Sequence, residues 1–155
     1  LRKLLLILTI AAGILILVAA ESSTPKIAVV DVAKAAQQYN KMKELNANYK
    51  KDFQFYKSKL DEIQKEIEEM KIKGAPKEEI EKKQQEYLQK KQLFEGMLQQ
   101  EYNPKIQAVL NEVVEKAKEF AKEKGVDILI GQGVIYAKED YDLTQQFVDY
   151  LNSQK

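Results

Sequence analysis

The chain has 155 residues, a length that suits one domain or one small domain carrying an elaborated arm. Its 25 basic and 24 acidic residues interleave to a formal charge of +1, which excludes a basic stripe for nucleic acid or an anionic membrane surface. It has no cysteine and no histidine, which excludes disulfides, thiol catalysis and a lipidated cysteine and removes the commonest general base and zinc ligand.

Residues 1–20 read as an export signal. Arg2 and Lys3 form a basic start, and Leu4 to Val18 is uncharged and almost wholly apolar. Val18-Ala19-Ala20 then offers small residues ahead of the polar stretch Glu21-Ser22-Ser23-Thr24-Pro25. The apolar run falls short of the roughly 20 residues that span a bilayer comfortably. Cleavage near Ala20 is therefore favoured over an uncleaved inner-membrane anchor. Either way the remainder is expected outside the cytoplasm, where ATP is not available.

Lys26 to Val32 is a β-branched run that predicts a buried strand, with Asp31 placed to cap the helix that follows. From Ala33 to about Lys73 nothing interrupts a helix. Apolar residues fall on a heptad frame: Tyr39, Asn46, Phe53, Leu60 and Ile67 on one seam position, Met42, Tyr49, Tyr56, Ile63 and Met70 on the other. Asn46 is the polar exception, of the kind that fixes register in a coiled coil. Gly74-Ala75-Pro76 predicts a hairpin tip, followed by Glu78 and Glu79 near a new helix N-terminus. The second helix runs from about Pro76 to Lys124, and Pro104 should kink or loosen it. Antiparallel folding about the tip sets Tyr56 near Phe94, Phe53 near Leu98 and Tyr49 near Tyr102.

Lys124-Gly125 ends that helix. Val126 to Ile130 and Val134 to Ala137 predict two more strands, joined through Gly131-Gln132-Gly133 as a tight β-turn. Asp142-Leu143-Thr144-Gln145 opens a short final helix with Phe147, Val148 and Leu151 on its apolar face. The expected fold class is α+β: a long antiparallel helical coiled-coil hairpin projecting from a small β body. The body comprises residues 21–39 and 108–155, and the arm residues 40–107. So small a body should be marginal alone, and oligomerisation through it is the economical remedy.

The sequence carries no catalytic, metal or cofactor pattern. Gly131-x-Gly133 lacks the third glycine and following helix of a dinucleotide site. Glu66, Glu68 and Glu69 belong to a charged helix face, and no serine has a histidine base. The tyrosines of the seam have no basic groove beside them, so they read as packing and not as a stacking platform for single strands. Five arm residues sit off the seam and are the candidate contacts for a bound polypeptide: Leu45, Phe55, Ile72, Leu88 and Leu93. Phe55 is the clearest, since it shares a turn with a seam residue and must point elsewhere.

Several stretches resemble a known family. The strand Lys26-Ile27-Ala28-Val29-Val30-Asp31 runs into a Lys/Glu/Gln-rich hairpin, followed by Asn103-Pro104-Lys105-Ile106 and Ala121-Lys122-Glu123-Lys124-Gly125-Val126-Asp127. The chain closes with Val134-Ile135-Tyr136-Ala137, Asp142-Leu143-Thr144 and Leu151-Asn152. This resembles the Skp (OmpH) family of periplasmic chaperones over essentially the whole mature chain. The resemblance implies a homotrimer with a shared β-barrel and three arms around a cavity. It implies ATP-independent holding of unfolded outer-membrane proteins on their way to the barrel-assembly machinery, in the periplasm, without enzymatic activity. Members of that family are strongly basic at the arm tip, whereas Lys71, Lys73 and Lys77 here face Glu78, Glu79 and Glu81, which argues against lipopolysaccharide binding. The competing expectation is a structural coiled-coil adaptor of a cell-envelope complex.

Overall fold

The structure, a computed structural model, describes residues 24–154. The expected export signal, residues 1–20, lies outside them. In chain order the elements are β1 (Ile27–Val29), α1 (Val32–Gln38), α2 (Asn40–Ile72), α3 (Lys77–Glu123), β2 (Ile128–Ile130), a 3-10 turn (Glu139–Tyr141) and α4 (Thr144–Ser153). Helices α2 and α3 form the expected hairpin, beside a small strand pair.

Local chemistry sets the tip. Helix α2 ends where Gly74 adopts φ +69°, a left-handed conformation that costs other residues a steric clash. There the Gly74 amide donates to the Lys71 carbonyl at 3.2 Å and the Ala75 amide to the Met70 carbonyl at 2.9 Å, satisfying carbonyls the helix would leave open. The Pro76 carbonyl then accepts from the Ile80 amide at 3.2 Å, and Glu78 and Glu79 occupy the first turn of α3. Gly125 closes α3 the same way, with the Val126 amide donating to the Ala121 carbonyl at 2.9 Å.

The first helix is not continuous. Tyr39 (φ −67°, ψ 131°) is extended and splits the predicted Ala33–Lys73 helix into α1 and α2. Neither proline nor glycine makes this break. The side chain of Asn152, at the end of α4, bridges it: its Oδ1 accepts from the Asn40 amide at 2.8 Å and its Nδ2 donates to the Gln38 carbonyl at 3.2 Å. Tyr39 itself is buried in the core, with its hydroxyl donating to Glu112 of α3 at 2.9 Å. The elbow is thus held by tertiary bonds from Asn152, over a hundred positions away, and from Glu112, 73 positions away.

The body packs α1, the base of α2 and the end of α3 around Val30, Val113, Phe120, Phe147 and Leu151, each essentially fully buried. Each such side chain contributes roughly 1.5–3 kcal/mol of burial. The ring of Phe120 lies 5.4 Å from those of Phe147 and Tyr150. Strands β1 and β2 pair in parallel, Ile27 with Ile128, Ala28 with Leu129 and Val29 with Ile130. Asp31 caps α1 by accepting from the Lys34 amide at 2.9 Å, and its own amide donates to the Thr144 hydroxyl at 2.9 Å. Asp142 accepts from the Thr144 amide at 2.8 Å; the Thr144 hydroxyl and amide beside its carboxyl hold it below the usual carboxylate range.

Two expectations need correction. Val134 to Ala137 forms no strand within the described chain, and Gly131-Gln132-Gly133 is not a hairpin turn. The chain does not turn back along β2, whose outer edge stays unpaired among the described residues; the next bonds to the sheet are made beyond β1, where the Leu143 amide donates to the Val29 carbonyl at 2.9 Å and Val29 bridges Asp142. Helix α3 runs through Pro104 as one element. Pro104 and Gln100, whose carbonyl loses its usual partner, are both exposed, so water can replace the missing bond.

Candidate functional site: the arm and its exposed residues

The arm is two helices joined by one seam. From α2 the seam takes Met42, Leu45, Tyr49, Asp52, Tyr56, Leu60, Ile63, Ile67 and Met70, stepping by three or four residues. The step from Asp52 to Tyr56 and the next to Leu60 are both four. That extra spacing is a stutter. It moves the seam from Leu45 and Asp52 in the lower half to Leu60 and Ile67 in the upper half. Asn46 and Phe53, expected inside, are consequently outside, and Asn46 is not a buried register device.

Aromatic pairs across the seam follow the expected antiparallel register. The rings of Tyr56 and Phe94 stack at 4.6 Å, and Tyr49 meets Tyr102 edge-on at 5.2 Å. Polar links join the same helices. The Tyr102 hydroxyl donates to Asp52 Oδ2 at 2.5 Å, and this bond, with burial, pushes the phenol up to about 12. Lys83 Nζ lies 2.6 Å from Glu66 Oε2, and Lys41 Nζ 2.6 Å from Glu112 Oε1 at the elbow. The lysine beside it holds the Glu112 carboxyl below its ordinary value, with help from the Tyr39 hydroxyl against burial. The other ion pairs among the described residues lie within single helices, three or four positions apart, and such exposed pairs contribute little.

The five off-seam candidates divide. Leu45 is part-buried against the body core, so it is a packing residue of the lower seam. Phe55 (57% exposed), Ile72 (86%), Leu88 and Leu93 (58% each) all face solvent. They are spread along the arm from its middle to its tip. Phe53 (47% exposed) and Met97 join them; the seam assignment concealed Phe53, and the stutter is the signal that would have found it. At the tip Lys73 pairs with Glu69 at 3.0 Å and Lys77 with Glu81 at 3.5 Å, so two of the three tip lysines are partnered.

A second exposed apolar region lies on the body. Ile128 and Ile130 of β2, then Val134, Ile135 and Tyr136, all face outward, and Ile135 is 102% exposed. Together with Asp142 and Thr144, the segment 131–137 borders an open hollow of about 470 Å3 beside Val29 and Val30. Among the described residues β2 pairs with β1 alone, leaving its outer edge unpaired.

Among the described residues no group of three or more acidic side chains could hold a metal ion, and no helix is long and apolar enough to cross a membrane. Compared with known proteins, the chain matches the family model described as Outer membrane protein (OmpH-like) over residues 26–151. No curated protein matches it.

Proposed function

The chain belongs to the OmpH-like family, and from that premise we propose that it is an ATP-independent holdase that binds unfolded outer-membrane proteins and keeps them from aggregating. Family membership itself suggests a non-enzymatic, chaperone-type role in the periplasm and outer-membrane proteins as the kind of partner. The observation that carries the finer reading is the arm. It projects large apolar side chains, Phe53, Phe55, Ile72, Leu88, Leu93 and Met97, from two helices whose own seam does not use them. Many weak contacts of this kind hold a client by multivalency without a deep pocket. Covering the apolar strands of an unfolded client blocks edge pairing and aggregation.

The working unit is a homotrimer. The free edge of β2 and the outward Val134, Ile135 and Tyr136 are what a small body would offer to copies of itself, and closing them into a shared barrel removes an exposed edge. Three arms then enclose one cavity, from which clients pass to the barrel-assembly machinery. Lipopolysaccharide is not a partner, because the tip lysines are offset by neighbouring glutamates. Export uses a signal cleaved near Ala20. Light scattering of the mature chain, with and without a denatured outer-membrane barrel, tests the reading. It should report a trimer that suppresses client aggregation at a few-fold excess. A monomer that leaves aggregation unchanged would sink it; a single specific partner in pull-downs without general suppression would make the chain an adaptor instead.

A further inference from the structure

Two hollows open on one face of the arm. The one at mid-arm is about 250 Å3, with an apolar floor of Phe53, Tyr56, Leu60, Phe94 and Leu98. Exposed Lys57 and Asp61 border it from α2, and Lys91 and Glu95 from α3. The second, about 300 Å3, lies nearer the tip between Gln64, Ile67 and Lys71 of α2 and Gln84 and Leu88 of α3. Tyr87 lines both. The lining residues of α2 step 53, 57, 60, 64, 67, 71, and those of α3 step 84, 88, 91, 95, 98, each by three or four positions. Such steps stay on one face of a helix, so the hollows are two stations of one groove.

The stutter explains why a groove opens there. Phe53 is displaced from the seam just below the change of register and stands at the edge of the mid-arm hollow, stacked on Tyr49 at 6.2 Å. Phe55, two positions on, is turned about 200° around the helix and is not part of the lining.

Along the helices the hollows are about seven to ten residues apart, or ~10–15 Å. An extended chain sets side chains i and i+4 on the same face about 13 Å apart. The groove carries two lysines against two carboxylates at mid-arm and Lys71 at the second hollow, so charge does little to select its occupant. The exposed carboxamides of Gln64 and Gln84 flank the second hollow and can pair with the free N–H and C=O groups of an extended backbone. A helical ligand has satisfied those groups internally and gains nothing from them.

We infer that this groove receives an extended segment of an unfolded polypeptide, with large apolar side chains at i and i+4 seated in the two hollows and polar residues between them facing solvent. This rests on the holdase reading and adds the register that a client segment must have.

The test uses the full mature chain and labelled nine-residue peptides read by fluorescence anisotropy. One carries phenylalanine at positions 3 and 7, one at positions 3 and 6, and a third is a stapled helix with phenylalanines seven apart. The first should bind about tenfold tighter than the second, which presents its rings on opposite faces. Phe53→Ser and Leu88→Ser should each weaken the first peptide about tenfold, and Phe55→Ser, a contact outside the groove, by clearly less. All three residues are exposed, so circular dichroism of the variants should match the parent. Equal affinity for both spacings, tighter binding of the stapled helix, or a larger loss from Phe55→Ser than from Phe53→Ser overturns the groove. A parent chain that suppresses aggregation while the Phe53→Ser, Leu88→Ser double variant suppresses it equally well and keeps peptide affinity leaves the holdase standing and removes the groove. A parent chain without holding activity removes the holdase reading itself.

Discussion

The body and the arm bury apolar side chains in different ways. In the body Val30, Val113 and Phe147 reach zero exposure because β1 and three helices converge on them from several directions. In the arm only two helices meet, so Ile63 and Ile67 are covered while Tyr49 and Phe53, a few turns nearer the body, stay half in water. A two-helix seam has no third layer to close its flanks. The body therefore behaves as one cooperative unit, and the arm as a series of turns stabilised mainly by near neighbours. The exposed flanks are also what makes the arm available to a ligand.

Four measurements would break or sharpen that contrast. The largest effect should come from Phe147→Ala, expected to cost about 3–5 kcal/mol in denaturant unfolding because its cavity lies amid rigid neighbours. A loss under about 1 kcal/mol would mean the body is not a packed core. Next, Ile67→Ala should cost about 2–4 kcal/mol, felt locally. Hydrogen exchange should accelerate across residues 60–90 and stay unchanged in the body around Val113 and Phe120; acceleration in both would erase the distinction. Third, Asn152→Ala removes both bonds that bridge the elbow and should cost about 1–3 kcal/mol, with limited proteolysis appearing near Tyr39. Unaltered proteolysis there would show that burial of Tyr39 alone holds the bend.

The smallest effect is alkaline. The Tyr102 phenol titrates at about 12 in the folded arm, against about 10 for a free tyrosine. A folded-state value above the unfolded one means that the folded chain holds the proton more tightly. The stabilisation is complete below about pH 10 and is lost as pH rises through about 12. Helical circular dichroism should show this loss in the parent chain and a weaker pH dependence in Tyr102→Phe. Identical profiles would detach the Asp52 bond from arm stability.

The hairpin, its tip and its ends were legible because their causes are local. Gly74, Pro76 and Gly125 act on their own turns, and the aromatic pairs follow once the tip is placed. What escaped the sequence was imposed from a distance. Nothing around Tyr39 breaks a helix; Asn152 and Glu112 do. The strand expected at Val134 to Ala137 has good composition, yet this segment does not return along β2, and the next backbone bond to the sheet is made by Leu143 on β1. Of the candidate contacts, Phe55, Ile72, Leu88 and Leu93 are exposed, as residues off the seam should be. Leu45 packs in the seam and Phe53 lies outside it for the same reason: a strict heptad cannot register one step of four following another.

The pairing of β1 with β2 has a kinetic side. Lys26 bonds to Asp127 at 2.7 Å across 101 residues of chain. Closing a flexible loop of that length directly would cost roughly 4 kcal/mol of chain entropy before any contact formed. Zipping α2 against α3 from the tip divides that closure into short steps, each with its own seam contact, and delivers the two strands to each other at the open end. A chain that closes in this way uses its arm as the body's assembly guide as well as its appendage.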